Sequence, residues 1–279
     1  MRPDRSAPPL TNEEFASALS KSASASAPGP YGIPYLTLKR VNSINASILL
    51  QVHSPPISMG YHPASPKVAH GVFLEKPGKL SYESPSYFRI IVLIHTGSKI
   101  LERMVAAGLH LAAHRKGLIH QNQFPSLPGL STYDSCLTLM NDMKTLERRR
   151  LKVSSLFLDM KAGFDNVDNP MLARVLREGG IPPNLVSWVA SFVGERSYPL
   201  VFQGVPGTPA PIHVVAPRGS RISPLLFLIY IAPLHWRIPP GVFLSYIDDM
   251  ALTITSLSYR GNICRLHGLF KTIKPTQFL

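Results

Sequence analysis

Acidic residues are scarce in this chain, and the aspartates among them are concentrated. Of its eight aspartates, Asp159, Asp165 and Asp168 share one short segment and Asp248 and Asp249 share another. The second segment reads Phe243-Leu244-Ser245-Tyr246-Ile247-Asp248-Asp249-Met250-Ala251-Leu252. Two adjacent carboxylates within an apolar run repel each other and lose hydration, so they demand a raised pKa or a counter-charge, usually a metal ion. The flanking residues predict a strand, a tight turn at Asp248-Asp249 and a return strand, with both carboxylates at the hairpin tip. Taken alone, such a pair is more often a polar turn, because Asp favours turns through local hydrogen bonds. The run over residues 153–158 predicts a buried strand that delivers Asp159 at its C-terminal end. Pairing these strands in one sheet would bring three carboxylates together. Such a cluster suits two-metal phosphoryl transfer, with ions about 3.5–4 Å apart at the attacking and leaving oxygens. Mg²⁺ is held by a few carboxylates plus substrate phosphates, which this set could supply.

The composition points to the same class of partner. Among 279 residues, 29 Lys and Arg oppose 16 Asp and Glu, a net charge of +13. That imbalance favours a polyanion, most simply nucleic acid, bound through salt-sensitive phosphate contacts. A phosphate-binding protein would keep acids only where a metal compensates them. The 45% hydrophobic content fits a chain with a packed core rather than a disordered one. Cys136 and Cys264 are too few for a disulfide framework or a zinc cluster, so a reducing compartment is read. Residues 1–5 lead into no apolar core, so no secretory signal is read. The longest apolar stretch, residues 224–234, is too short to span a bilayer and reads as a buried helix.

Periodicity and punctuation supply the elements that must position these residues. A short helix is predicted over residues 11–19, opened by a Thr11/Glu14 capping box, and a Ser/Ala-rich linker follows over 21–30. One helix is predicted over 33–53 and a Pro/Ser-rich loop over 54–70. Strands at 72–74 and 89–94 flank the turn Lys76-Pro77-Gly78-Lys79. Amphipathic helices are predicted over 98–114 and 131–150, short helices over 170–178 and 183–193, and strands near 200–203 and 213–216. A helix begins at Ser223-Pro224, with proline well placed in its first turn, and a last helix spans 257–273. Asp165 and Asp168 read as turn or cap residues. His110 and His114 stand i, i+4 on a helix, but without a third ligand they read as an ordinary helix face. The basic run Arg148-Arg149-Arg150-x-Lys152 reads as a solvated helix end.

In this order the blocks resemble a known family. Asp159 with Phe164-Asp165, then Gly219-Ser220 with Ser223-Pro224-Leu225-Leu226-Phe227, then Tyr246-Ile247-Asp248-Asp249 follow the arrangement of reverse transcriptases, and more narrowly those of non-LTR (LINE-type) retrotransposons. Upstream blocks agree: Gly29-Pro30-x-Gly32-Ile33-Pro34, Lys76-Pro77-Gly78-Lys79, Arg89 with Lys99-Ile100-Leu101-Glu102-Arg103, and Asn122-Gln123-Phe124 with Ser131-Thr132. The resemblance covers roughly residues 28–265, and the ordered set is far more specific than any one block.

The resemblance implies an α+β right-hand polymerase fold with fingers and palm subdomains and the thumb missing. Residues 1–27 would be a flexible leader, 28–150 fingers-like, 151–256 the palm with its catalytic carboxylates, and 257–279 a truncated C-terminal helix. The implied activity is RNA-directed DNA polymerase, with two Mg²⁺ (or Mn²⁺) ions held by Asp159, Asp248, Asp249 and the backbone carbonyl of Met160. Phe164 would be the aromatic gate that excludes a nucleotide 2′-hydroxyl. Lys76, Lys79 and Arg89 would neutralise the incoming triphosphate, and Arg218 and Gly219 would lie beside the nucleotide. Partners would be an RNA template, a DNA primer and dNTPs, with no membrane, in a nuclear or cytoplasmic ribonucleoprotein. The family usually has Gln where Arg218 stands, Asp at Tyr31, Pro at Ile90 and Gly at Pro125. With the missing thumb, these departures keep a second reading open, a catalytically silent nucleic-acid-binding remnant. Phe164 as plain core and Lys76–Lys79 as an exposed turn are the alternatives from the residues alone.

Overall fold

The computed structural model of the chain describes residues 10–64, 67–78, 81–84, 87–124, 130–160, 163–164, 166–194, 196–202, 204–212, 219–239 and 242–273. It is a mixed α+β structure. Helix α1 (Asn12–Ser20) opens with the expected capping box: Thr11 accepts from the Glu14 amide while Glu14 accepts from the Thr11 amide. The single helix expected over 33–53 is two, α2 (Tyr35–Ile44) and α3 (Ala46–Ser58). Asn45 breaks them by taking extended backbone and accepting from Ser47 N–H. A local side-chain cap outcompetes helix continuation at such a residue. The loop expected from residue 54 starts later, since Pro55 and Pro56 sit inside the end of α3.

The hairpin β1 (Ala69–Glu75) and β2 (Phe88–Ile94) forms as expected and belongs to a four-stranded sheet of order β2-β1-β6-β7, with β6 at Leu200–Phe202 and β7 at Val205–Pro206. Helix α4 (Thr96–Arg115) follows. The second sheet has order β3-β9-β10-β4, from β3 (Gln123–Phe124), β9 (Phe243–Tyr246), β10 (Asp249–Ser256) and β4 (Lys152–Asp159). A small third sheet pairs β5 (Arg196–Tyr198) with β8 (Ala210–Ile212); the strand expected at 213–216 lies outside the described residues. Helices α5 (Thr132–Arg148), α6 (Asn169–Glu178), α7 (Pro183–Val193), α8 (Ser223–His235) and α9 (Tyr259–Ile273) complete the chain. Arg149, Arg150 and Lys152 beyond the end of α5 are exposed, as expected for a solvated helix end.

The main core is helical and centres on Trp188 and Phe192 of α7, with Leu172 and Leu176 of α6, Ile100 and Leu109 of α4, and Phe227 of α8. Helix α8 is apolar around its whole circumference, as an interior helix must be, and its side chains are buried on nearly every face. A smaller core lies under the second sheet, where Met250 and Leu252 meet Leu156 and Leu158 of β4 and Leu266 and Leu269 of α9. Strand β4 is therefore covered on one face only. It was expected to be buried, but it is the edge strand of its sheet, and Phe157 on the other face is 68% exposed.

Asp168 is the N-cap of α6, accepting from Met171 N–H at 2.7 Å. Asp168→Ala is expected to cost about 1 kcal/mol, read as a lower urea midpoint at unchanged slope; no shift would show that the cap is dispensable. Cys136 and Cys264 are free and exposed. Among the described residues, no helix is long and apolar enough to cross a membrane.

Candidate active site

The register of the second sheet settles where the aspartates go. In the antiparallel pair β4–β10, Asp159 stands opposite Asp249, and Asp249 stands opposite Tyr246 on β9. Opposed residues of antiparallel strands have Cβ atoms about 4.5–5.5 Å apart. Asp159 and Asp249 are exposed and Asp248 is half-buried, so the three share one end of the sheet. Behind them the alternation holds, with Met250 paired to Leu158 and Leu252 to Leu156 facing the core under the sheet. One residue further along, the Ser155 and Thr253 hydroxyls bond at 3.0 Å.

The turn itself is one residue earlier than the side-chain types suggested. Ile247 and Asp248 occupy it, and Asp249 is already the first residue of β10. Ile247 has φ 55, a conformation that a β-branched residue rarely adopts. A positive φ at the first turn position matches a two-residue hairpin of type II′. Neighbouring strands hold it there: Ile247 N–H donates to Phe124 O and Ser245 N–H to Asn122 O, each at 2.9 Å, while Asn122 Nδ2 donates to Phe243 O at 3.0 Å. Gln123 is buried and donates to Leu228 O at 2.7 Å, tying the same strand to α8. The block Asn122-Gln123-Phe124 thus braces the hairpin. Met160 N–H donates to Asp248 O, joining the end of β4 to the turn, and Met160 O accepts from Gly163 N–H.

Crowding has an electrostatic signature. The Asp249 carboxyl is held above the ordinary carboxylate range, first by desolvation and then by the charges of Asp248 and Asp159. Like charges in this arrangement favour a shared cation. The side chains as they stand are not gathered around one point: among the described residues, no three His, Cys, Asp or Glu side chains form a group that could hold an ion. The backbone placement and the hard oxygen donors nevertheless fit a divalent cation such as Mg²⁺. His110 and His114 stack on α4 with ring centroids 6.5 Å apart.

The remaining candidates lie around this end of the sheet or on β1 and β2. Phe164 stacks on Phe227 of α8, centroids 4.8 Å apart, at the margin of the main core. Lys76 closes the β1–β2 hairpin, its N–H donating to Tyr87 O and its carbonyl accepting from Tyr82 Oη, both at 2.9 Å. Arg89 is exposed on β2 opposite Leu74. Gly219 has φ 118 and presses on β2: a Cβ there would meet Val92 O at 2.6 Å. Lys79, Asp165 and Arg218 lie outside the described residues.

One charged group had no role assigned from the residues. Glu102 of α4 is fully buried, and its Oε2 accepts from Ser220 Oγ at 2.6 Å and from Arg221 N–H at 2.8 Å. Burial pushes its carboxyl up, and the bonds from Ser220 and Arg221 and the charge of Arg196 oppose that rise. The available signal was a lone carboxylate among Ile100, Leu101, Met104 and Val105 on a buried helix face.

The chain is similar in sequence to known proteins over most of its length. It is 25% identical over 255 residues to the probable RNA-directed DNA polymerase from transposon BS of Drosophila melanogaster, covering 89% of this chain and 28% of that protein. It is also 25% identical to the probable RNA-directed DNA polymerase from transposon X-element of the same organism, covering 87% of this chain and 27% of that protein. A third relative at 25% identity is the RNA-directed DNA polymerase from mobile element jockey, with 89% of this chain and 28% of that protein covered. The chain therefore spans a little over a quarter of the length of these relatives. Residues 74–274, which hold β2, Glu102, the paired strands β4 and β10 and all three aspartates of the sheet end, match the family described as reverse transcriptase (RNA-dependent DNA polymerase), and it is to this family that the chain belongs.

Proposed function

We propose that this chain is the catalytic core of an RNA-directed DNA polymerase, carrying out template-directed nucleotidyl transfer. The observation that carries the reading is the register of Asp159 opposite Asp249, with Asp248 in the adjoining turn. On this reading residues 28–150 are the fingers and 151–256 the palm, with α9 beyond it, the finer form of the α+β fold. The primer 3′-oxygen attacks the α-phosphorus of a dNTP, gives up its proton, and the bond to the β-phosphate oxygen breaks to release pyrophosphate.

Members of this family normally use divalent metal ions. Two Mg²⁺ or Mn²⁺ ions, held by Asp159, Asp248, Asp249 and the carbonyl of Met160, would supply charge stabilisation at the attacking and leaving oxygens. The chain's own residues do the positioning. Phe164, backed by Phe227, presents an aromatic ring against a sugar 2′-hydroxyl. Lys76, Lys79 and Arg89 offset the triphosphate charge, and Arg218 and Gly219 border the nucleotide. The excess of basic residues attracts the RNA template and the DNA primer.

The test is primer extension on an RNA template with Mg²⁺, comparing the chain with Asp249→Asn. Loss of a carboxylate at such a site removes several kcal/mol of charge stabilisation, so extension is expected to fall about 100-fold or more. Equal extension by both proteins would remove Asp249 from the chemistry. A second reading, a silent nucleic-acid-binding remnant, draws support from the ungathered carboxylates. It predicts salt-sensitive RNA binding with no extension by either protein.

A further inference from the structure

A buried carboxylate is costly, several kcal/mol even after the surroundings relax, and an apolar residue would often serve stability as well. Glu102 is nonetheless 0% exposed, in the middle of a core-facing stretch of α4. What it holds explains its retention. Its Oε2 takes both the Ser220 hydroxyl and the Arg221 amide, and Oε1 takes the Ser98 hydroxyl at 3.4 Å. Ser220 Oγ in turn accepts from Ile222 N–H at 3.3 Å. These residues lead directly into α8, whose N-cap Ile222 has no side-chain acceptor of its own. Glu102 thus supplies from another helix the acceptor and the negative charge that a helix start favours. The counter-charge is internal as well: the Arg196 guanidinium, 3% exposed and lying 4.2 Å over the Phe192 ring, feels Glu102, while its Nη atoms make no hydrogen bond among the described residues.

The clamped segment connects two of the nucleotide candidates. Gly219, immediately before Ser220, rests against the β2 backbone at Val92. Phe227, one turn into α8, is the ring on which Phe164 stacks. A shift of the Ser220–Arg221 segment on α4 moves both.

We propose that Glu102 is a positioning residue for the incoming nucleotide: its carboxylate clamps Ser220 and Arg221 to α4 and thereby sets Gly219 against β2 and Phe227 beneath Phe164. This rests on the polymerase reading above. Glu102 touches neither the nucleotide nor the three aspartates; it acts through the segment it holds.

Glu102→Gln keeps the shape, and its amide oxygen can still accept from both Ser220 and Arg221, but it removes the negative charge that strengthens both bonds. Turning two charge-assisted hydrogen bonds into neutral ones corresponds to roughly a 10-fold effect. In primer extension the KM for dNTP is expected to rise about 10-fold with kcat changed less than about 3-fold. RNA binding should be unchanged. Ser220→Ala, a smaller perturbation that serves if Glu102→Gln fails to fold, should give the same split, Ser220→Thr should restore the wild-type KM, and the double variant should be no worse than Glu102→Gln. An unchanged KM, or a fall confined to kcat, overturns the proposal. If the wild-type chain extends no primer, the polymerase reading and the nucleotide role both fall, and the clamp alone is judged by tryptic cleavage after Arg221. There the clamp requires cleavage about 10-fold faster in Glu102→Gln, and an unchanged rate refutes the clamp too.

Discussion

Lowering the pH from 8 to 4 is expected to destabilise the folded chain by roughly 7 kcal/mol through two histidines alone. His62 and His235 are fully buried, and among the described residues no ring nitrogen of either has a hydrogen-bond partner. Burial pushes each pKa down from 6.5 to about 3, aided at His62 by the charges of Arg196 and Lys67 and at His235 by His120. Both rings are packed rather than solvated: His62 lies edge-on to Trp188 and Phe192, and His235 stacks on Phe243 at 4.7 Å. The sign follows from proton counts. Between pH 6.5 and about 3 the unfolded chain binds a proton at each site that the folded chain refuses, so stability falls as pH falls through that window. At pH 5 the loss is roughly 2 kcal/mol per site and at pH 4 roughly 3.3 kcal/mol, against a total stability of about 5–15 kcal/mol.

His53, His95 and His120 are also lowered by burial and add in the same direction. Glu102, whose carboxyl is raised, acts oppositely: it loses stability as pH rises through its window, so acid relieves part of its cost. The measurement is the urea midpoint as a function of pH. The double variant His62→Leu, His235→Leu should flatten the slope between pH 6 and 4 by about two protons. An unchanged slope in that variant would mean that these rings are not held neutral.

Gly219→Ala is the second large effect. The φ of 118 is one that L residues rarely adopt, and the new Cβ would stand 2.6 Å from Val92 O. That oxygen belongs to the backbone of β2, fixed in register with β1 opposite Gly71, so it cannot swing aside as a side chain would. Backbone strain of about 1–3 kcal/mol and overpacking of about 1–3 kcal/mol together give a cost near 4 kcal/mol. For a domain of this size that lowers Tm by roughly 10 °C. Gly204→Ala separates the two causes, because its φ of 82 is equally unusual but nothing among the described residues lies within 4 Å of its Cβ position. It should lose only the strain share. Equal losses at the two positions would show that contact with β2 contributes nothing.

Local rules read well wherever one residue decides the outcome with its near neighbours. The Thr11/Glu14 box and the Asp168 cap stand where their side chains predict, because each bond closes within three residues. The β1–β2 hairpin and α4, α6, α7 and α8 follow from periodicity, since each has a face, or in α8 a whole surface, that must be buried. The errors fall where competition or context decides. Asn45 turned one helix into two by capping. Strand β4 has the apolar content of a buried strand, yet its place at the sheet edge leaves Phe157 in the open. The hairpin turn was assigned to the two aspartates because Asp suits turns, but bonds from β3 hold Ile247 there instead.

The sequence by itself determined the identity and order of the functional groups: a basic chain whose few acids are grouped, with the blocks of a reverse transcriptase in order. Those properties reside in residue type and spacing, which no folding step alters. Only the tertiary structure decided which carboxylates face one another. It set Asp159 opposite Asp249, raised the Asp249 carboxyl first by desolvation and then by the charges of Asp248 and Asp159, and carried Glu102 to the start of α8. Strand register and helix packing join residues about 90 to 120 positions apart, and such pairings are fixed by which apolar faces bury together rather than by any local preference.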